Sequence, residues 1–435
     1  MENPTHLRFL TEDFRSIKLA DITIEGITLV AGENGAGKST LSKLLYYLYK
    51  TIANYDQLVS EKLNEDLGNV ARFLEIAQTE LFNKKYDRPR RQEFQKEFNA
   101  LRNNLLAYSP NEQIMVEWLN FVEKIEISIS LEGLMNAEAR QRLHYIAKDV
   151  IRRMNQKEQS ENPFTLVKLH IESLFKESFG ILDSRSTNIF RNELINVFHD
   201  SYLPKRFEVY EFGQQIISLN KNYLSIPYTI QNVIYIDTPM MLGIETYDEN
   251  HWEDLNLLLK RKSLNSFSEF SKIISNEIID GEATFDDGFL SINEFVYKRS
   301  DGSIFNLLDC ATGVKSFSII QLLLKNGSLN DKTLFIIDEP ESHLHPQWII
   351  EYARLIILLN KFIGVKFFIA SHNPDMVSAI KIIAEKEEVL NETNFYLAEK
   401  SSKHHYTFKN LGKEIDPIFA SFNIAFDRMH LYGGE

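Results

Sequence analysis

The sequence predicts an α/β fold in which parallel strands alternate with crossover helices. Three observations carry that prediction. An alternating, β-branched stretch, Ile22–Val30, runs into a glycine-rich loop and then a helix with Leu41, Leu44, Leu45 and Leu48 on one face. Two further apolar runs, Thr333–Ile337 and the start of Gly364–Val377, end in polar residues, as buried parallel strands do. After Leu308, helices alternate with strands to Ile380.

The remaining elements follow in order. Residues 51–118 read as mostly helical, with a polar stretch at Asn83–Phe98. Lys124–Leu131, KIEISISL, alternates apolar and polar residues and is expected to be a strand. Residues 136–200 return to helical periodicity, and Arg206–Asn220 reads as further strands. Asn232–Pro239 is another strand, and 252–278 is helical. Phe295–Leu308 reads as a hairpin turning at Asp301-Gly302. The tail carries a strand, NFYLAE, and a terminal helix near Ile418–Phe426. The α/β core is therefore expected to be split between residues 1–50 and 206–435. Residues 51–205 form a mainly helical insertion with one intervening strand, and its helices carry no sustained heptads.

Composition bounds the function. At 435 residues and 44% hydrophobic, the chain can bury one large core or two ordinary ones. No apolar run is long enough to span a bilayer, so no membrane association is expected. The N-terminus, MENPTHLRFLTEDF, has no long apolar h-region and does not read as a signal peptide. The single cysteine, Cys310, fits a reducing compartment, and a cytoplasmic location is expected. A net charge of −13 argues against a surface coated in nucleic acid. It leaves open a local basic groove, or a partner with basic patches.

The loop VAGENGAGKSTL, Val30–Leu41, holds the pattern Gly32-x-x-x-x-Gly37-Lys38-Ser39, a P-loop. Its glycines let backbone N–H groups turn inward toward phosphate oxygens. Lys38 supplies a point charge for β- and γ-phosphates, Ser39 a hydroxyl for Mg²⁺, and the helix N-terminus favours anions, though a P-loop alone does not choose among kinases, GTPases and ATPases. The Thr333–Ile337 strand ends in Asp338-Glu339. A carboxylate there can hold Mg²⁺, and an adjacent Glu can polarise an attacking water. Another strand ends in Ser371-His372, where His372 can hydrogen-bond a γ-phosphate. Thr312-Gly313 precedes a helix bearing Phe317, Ile320, Leu323 and Leu324 and is either a second anion site or a helix cap. His343 and His345 lie two apart, open to a metal site or to a turn packed by Pro346 and Trp348.

These pieces, in this order, resemble an ABC-type ATPase head of the SMC/RecF/OLD-like branch, often labelled an AAA family ATPase. The phrases DEPESHLHP (Asp338–Pro346) and FRSI (Phe14–Ile17) are especially similar, and the resemblance covers about residues 7–50 and 230–380. It implies a P-loop head with a mixed sheet and helical insertions. Gly32–Thr40 would be the Walker A segment, with Asn34, Gly35, Ala36, Gly37, Lys38, Ser39 and Thr40 against the nucleotide. Asp338 would be the Walker B carboxylate, Glu339 the catalytic base and His372 the switch histidine. Thr312, Gly313 and Lys315 would stand for the signature, Ser342–His345 for the D-loop, and Arg15 and Ser16 would contact the nucleotide. Val314 stands where a signature glycine is usual, His345 where Asp is usual in the D-loop, and Asp237-Thr238 where the Q-loop glutamine is expected.

In this family one subunit's signature closes over ATP on the other's P-loop. The resemblance therefore implies a homodimer, with higher assembly open. It also implies a role as sensor or regulator of a separate effector protein, as in bacterial anti-phage systems. After His372 the sequence leaves too little length for a Toprim nuclease domain, so none is expected within it. The alternative is a RecF-like DNA-binding repair ATPase. Its basic candidates are Arg88, Arg90 and Arg91, then Arg152 and Arg153, then Lys260, Arg261 and Lys262. The same clusters also read as solvated helix surface. A transporter ATPase is a third, weaker option, because such heads lack large helical insertions of this kind.

Overall fold

The computed structural model describes residues 7–81, 88–131, 137–151, 162–237, 242, 251–262, 269–286 and 294–420. The chain divides into two compact units. One comprises Met1–Ala53 with Phe190–Glu435, the other Asn54–Ile189.

The first unit is built on an eleven-stranded mixed sheet. Its parallel part comprises β3 (Ile27–Ala31), β7 (Asn232–Ile236), β11 (Thr333–Asp338), β12 (Lys366–Ser371) and β13 (Thr393–Ser402), in the order β13-β3-β12-β11-β7. Every residue of β3 and β11 is buried, which explains their continuous apolar sequence. The other part is largely antiparallel: β1 (Leu7–Phe14), β2 (Ile17–Thr23), β4 (Arg206–Glu211), β5 (Gln214–Ser218), β6 (Tyr223–Leu224) and β14 (His405–Gly412). The expected mixed α/β architecture is what the chain adopts. β14, which the sequence reading did not anticipate, joins the two parts by pairing β13 on one side and β2 on the other.

Register places the site. Ala31 lies opposite Ser371, and Asp338 opposite Ala370. The carboxyl ends of β3, β12 and β11 therefore finish level, at one edge. From them run α1 (Lys38–Ala53), α12 (Pro346–Ile363) and α13 (Pro374–Lys386), while α11 (Thr312–Lys325) precedes β11. A core including Phe317, Leu323, Phe335, Ile356, Phe367 and Ile380 joins these helices to the sheet. A small sheet, β8 (Gly281–Asp286), β9 (Glu294–Arg299) and β10 (Ile304–Asn306), includes the expected hairpin. α8 (Asn188–Phe198), α9 (His251–Leu259) and α10 (Glu269–Ile273) complete the helices. Residues 416–420 are helical, and the rest of the expected terminal helix lies outside the described residues.

The second unit is helical: α2 (Tyr55–Asp66), α3 (Gly68–Leu81), α4 (Arg88–Ala107), α5 (Glu112–Leu131), α6 (Ala137–Ile151) and α7 (Pro163–Ser184). Its core includes Phe73, Phe98, Trp118 and Phe164. Here one expectation fails. Lys124–Leu131 is no strand but the last two turns of α5. Trp118, Val122, Ile125 and Ile129 recur at helical spacing and are buried, whereas Ile127 is exposed. The alternation in KIEISISL is a by-product of that spacing, since the buried stripe continues from the preceding turns.

Candidate functional site

The P-loop follows β3 directly. Gly37 takes φ +96°, and a Cβ there would stand 2.8 Å from Ser16 Oγ and 2.9 Å from Ile17 Cγ1. Only glycine accommodates both the conformation and the approach of the β1–β2 turn. Ser16 is thus brought against the loop. Arg15, in a left-handed conformation at φ +53°, instead places its guanidinium over the Phe198 ring at 5.1 Å.

Lys38 opens α1 and is buried. Its Nζ donates to the carbonyls of Gly32 (2.7 Å) and Glu33 (3.0 Å). Burial lowers its pKa, opposed by the charges of Glu339, Asp338, Glu341 and Glu33. Four residues on, Ser42 lies on the buried face of the same helix and donates to Asp338 Oδ1 at 2.5 Å. Tyr235, at the end of β7, donates to Asp338 Oδ2 at 2.9 Å. Burial raises the Asp338 pKa, while hydrogen bonds from Ser42, Tyr235 and Ser39 pull it back. Ser39 and Asp338, paired as Mg²⁺ ligands by the sequence reading, are thus neighbours. Ser42 and Tyr235, which hold the carboxylate, were not anticipated. A serine one helical turn after Lys38, among Leu41, Leu44 and Leu45, was the available signal for the first.

Glu339 follows with φ +51°, an uncommon conformation for a residue with a side chain. Its N–H donates to Ala370 O at 2.8 Å, which ties the end of β11 to β12. Glu339 Oε1 stands 3.2 Å from His372 Nδ1, and both side chains are substantially exposed. Glu341 was also missed. Its side chain is only 4% exposed, and Oε1 accepts from Ser371 Oγ (2.8 Å) and from His372 N (3.2 Å). The same Oε1 lies 3.5 Å from His372 Nδ1. Burial raises the Glu341 pKa. A buried carboxylate thus seats the histidine, and an open one faces it.

Asp237, in the Q-loop position, accepts from Trp252 Nε1 at 2.7 Å and lies 3.0 Å from His251 Nε2. Burial raises its pKa, but the hydrogen bonds and charge of His251 and the Trp252 bond outweigh this and leave it lowered. Thr238 lies outside the described residues.

Thr312, Gly313 and Lys315 form the first turn of α11. Among the described contacts, none of the three bonds to the P-loop. A Cβ at Gly313 would stand 2.3 Å from the Trp348 ring, so the glycine lets α11 pack on α12. His345 is the N-cap of α12 and accepts from Gln347 N, which favours the turn reading of the histidine pair. Among the described residues, no group of three or more His, Cys, Asp or Glu could hold a metal ion. One buried carboxylate with nearby hydroxyls is nevertheless a donor set that suits Mg²⁺, which keeps waters and shares phosphate oxygens. Of the basic clusters, Arg90, Arg91, Arg261 and Lys262 are exposed. Arg152 and Arg153 lie outside the described residues. No helix among the described residues is long and apolar enough to cross a membrane.

A phosphate-binding loop, a buried lysine and an acidic strand end, at the carboxyl ends of parallel strands of one sheet, define a P-loop ATPase. The family model for the AAA ATPase domain matches residues 9–377, and the chain belongs to that family. It is an ATPase of the AAA class, and nucleotide binding goes with membership. Among solved structures, it is similar to an SMC head bound to the C-winged helix domain of ScpA, at 12% identity, over 94% of this chain and 98% of that one, with TM-score 0.37. It is also similar to the SMC head from Thermotoga maritima, at 10% identity, over 93% and 98%, with TM-score 0.35. A third similar structure is the Pyrococcus furiosus Smc head with an extended coiled coil, bound to the C-terminal domain of ScpA, at 10% identity, over 95% and 98%, with TM-score 0.36. No curated protein matches the chain.

Proposed function

We propose that the chain is an ATP-hydrolysing switch in which two copies close around ATP and thereby regulate a separate effector protein. The observation that carries the reading is the meeting of Lys38, Asp338, Glu339 and His372 at the level ends of β3, β11 and β12. Lys38 and the loop amides from Asn34 to Thr40 hold the phosphates, with Ser16 packed behind them and Arg15 at the rim. Ser39 and Asp338 hold Mg²⁺, and Ser42 and Tyr235 fix the carboxylate's orientation. When bound, Mg-ATP supplies the phosphoanhydride to be cleaved and the charge neutralisation for its cleavage.

Glu339 is open to solvent and takes a proton from the attacking water. His372, seated by Glu341, stands beside Glu339 and would hydrogen-bond the γ-phosphate. Thr312, Gly313 and Lys315 belong to the site of the partner copy, because each chain carries one P-loop and one signature turn. The excess of acidic residues suits a basic effector, and the resemblance to anti-phage ATPases favours a sensor role in that setting. The exposed Arg90, Arg91, Arg261 and Lys262 keep direct DNA binding as the competing reading.

The test is affinity purification of tagged Glu339→Gln from its own host with ATP and Mg²⁺, next to a phosphate-release assay. A stoichiometric second protein, with hydrolysis lost in the variant, supports the regulator. Wild-type hydrolysis rates in the variant refute the base assignment. DNA retained at low salt and lost steeply with added salt, without a protein partner, supports the competing reading.

A further inference from the structure

Polar residues recur down one side of α1 at intervals of one turn: Lys38, Ser42, Tyr46 and Lys50. The first two belong to the hydrolytic site, Lys38 in the P-loop and Ser42 on Asp338 Oδ1. The last two lead away from it, to the first turn of α9. The Tyr46 hydroxyl donates to Asp254 Oδ2, and Lys50 Nζ pairs with the same oxygen at 2.6 Å. The helix that carries Ser42 is thus tied to α9 one turn further on.

The same turn of α9 reaches the other donor to Asp338. His251 is buried, and its ring lies against that of Tyr235, with centroids 4.5 Å apart and planes inclined by 35°. Tyr235 in turn donates to Asp338 Oδ2. Tyr46 packs on both rings, edge-on to His251 at 6.1 Å and beside Tyr235 at 5.6 Å. Asp237 fixes the turn from the strand end. It accepts from Trp252 Nε1, and its Oδ2 lies 3.0 Å from His251 Nε2. Ile236 lies opposite Ile337, so Asp237 leaves β7 at the level where Asp338 ends β11.

The imidazole is therefore fixed at Nε2 by a carboxylate, and its ring bears on the tyrosine that orients Asp338. A buried phenol has little room to turn, so the plane it packs on sets where its hydroxyl falls. Apolar packing alone would fill this space; a ring keyed to Asp237 also defines an orientation. Groups that orient a metal ligand tune the metal site without touching the ion.

We infer that His251 is a positioning residue for the Mg²⁺ carboxylate: held by Asp237, it keeps Tyr235, and through it Asp338, in the orientation that receives the ion. The inference rests on the reading of Asp338 as a Mg²⁺ ligand.

Isothermal titration of ATP into full-length Glu339→Gln protein, with Mg²⁺ and with EDTA, tests it. The ratio of the two affinities reads what the ion contributes. His251→Ala in that background should cut the ratio about tenfold, while affinity in EDTA stays within about twofold. Tyr235→Phe should cut it comparably. The two changes together should cost little more than either alone, because both act through one hydroxyl. His251→Leu fills the same space without a flat ring and takes the place of the alanine variant if that one misfolds. An unchanged ratio, an equal loss in EDTA, or losses that multiply in the double variant overturns the inference. Asp338→Asn separates the two readings. If it leaves the ratio intact, the Mg²⁺ assignment itself fails. If it removes the ratio while the His251 variants do not, only the role of His251 fails.

Discussion

Replacing Glu341 separates a buried carboxylate's structural work from its charge. Its Oε1 receives two hydrogen bonds, from the buried Ser371 hydroxyl and from the His372 backbone N–H. Bonds to a charged acceptor contribute about 1.5–3 kcal/mol each. Glu341→Ala removes both, so it should destabilise the fold by roughly 3 kcal/mol or more. Glu341→Gln keeps an oxygen for both donors and removes the charge, so at neutral pH its net cost should stay within about 1.5 kcal/mol. The pH dependence has a definite sign. Burial raises the folded-state pKa above the ordinary 4.5. Wild type therefore carries its full contribution below the unfolded pKa and loses stability as pH rises through the folded value. Glu341→Gln lacks that loss, so it should gain on wild type as pH climbs from about 4.5, then hold a constant difference. Urea unfolding of the three proteins across pH 4–8 measures this. Parallel profiles for wild type and Glu341→Gln, or an alanine variant as stable as wild type, would refute the reasoning. Turnover should also fall in Glu341→Ala, in kcat more than in KM, because His372 loses its seat.

Three further predictions follow from the geometry. Lys38→Ala should weaken binding of a fluorescent ATP analogue at least about tenfold, with the fold intact because a desolvated ammonium is removed. Asp338→Asn should lose at least about a hundredfold in Mg²⁺-dependent hydrolysis while keeping its melting temperature within a few degrees, which phosphate release and thermal scans check. Gly313→Ala drives a methyl group onto the Trp348 ring and should cost about 1–3 kcal/mol in urea unfolding.

Much of the site was legible in the sequence because its markers are local. A glycine spacing, a lysine at a helix start and acids at the end of an apolar run announce themselves without tertiary knowledge. What the sequence reading missed is what only the sheet brings together. Glu341 is two residues beyond Glu339, yet its importance comes from Ser371 and His372 on the neighbouring strand. Tyr235 points to Asp338 only because β7 pairs β11 in register. The strand expected at Lys124–Leu131 fails for the opposite reason. An eight-residue window shows alternation, but the stripe from Trp118 through Ile129 is helical once the preceding turns are included. β14 escaped because His405–Gly412, HYTFKNLG, is rich in polar residues, and is held by pairing on both sides.

We propose that ATP draws two copies together through their composite sites. Native mass spectrometry of purified Glu339→Gln, with and without Mg-ATP, tests it most directly. A monomer is expected without nucleotide and a dimer holding two ATP molecules with it, and that dimer should be lost on adding Lys38→Ala. A monomer that binds ATP fully and never pairs would contradict it.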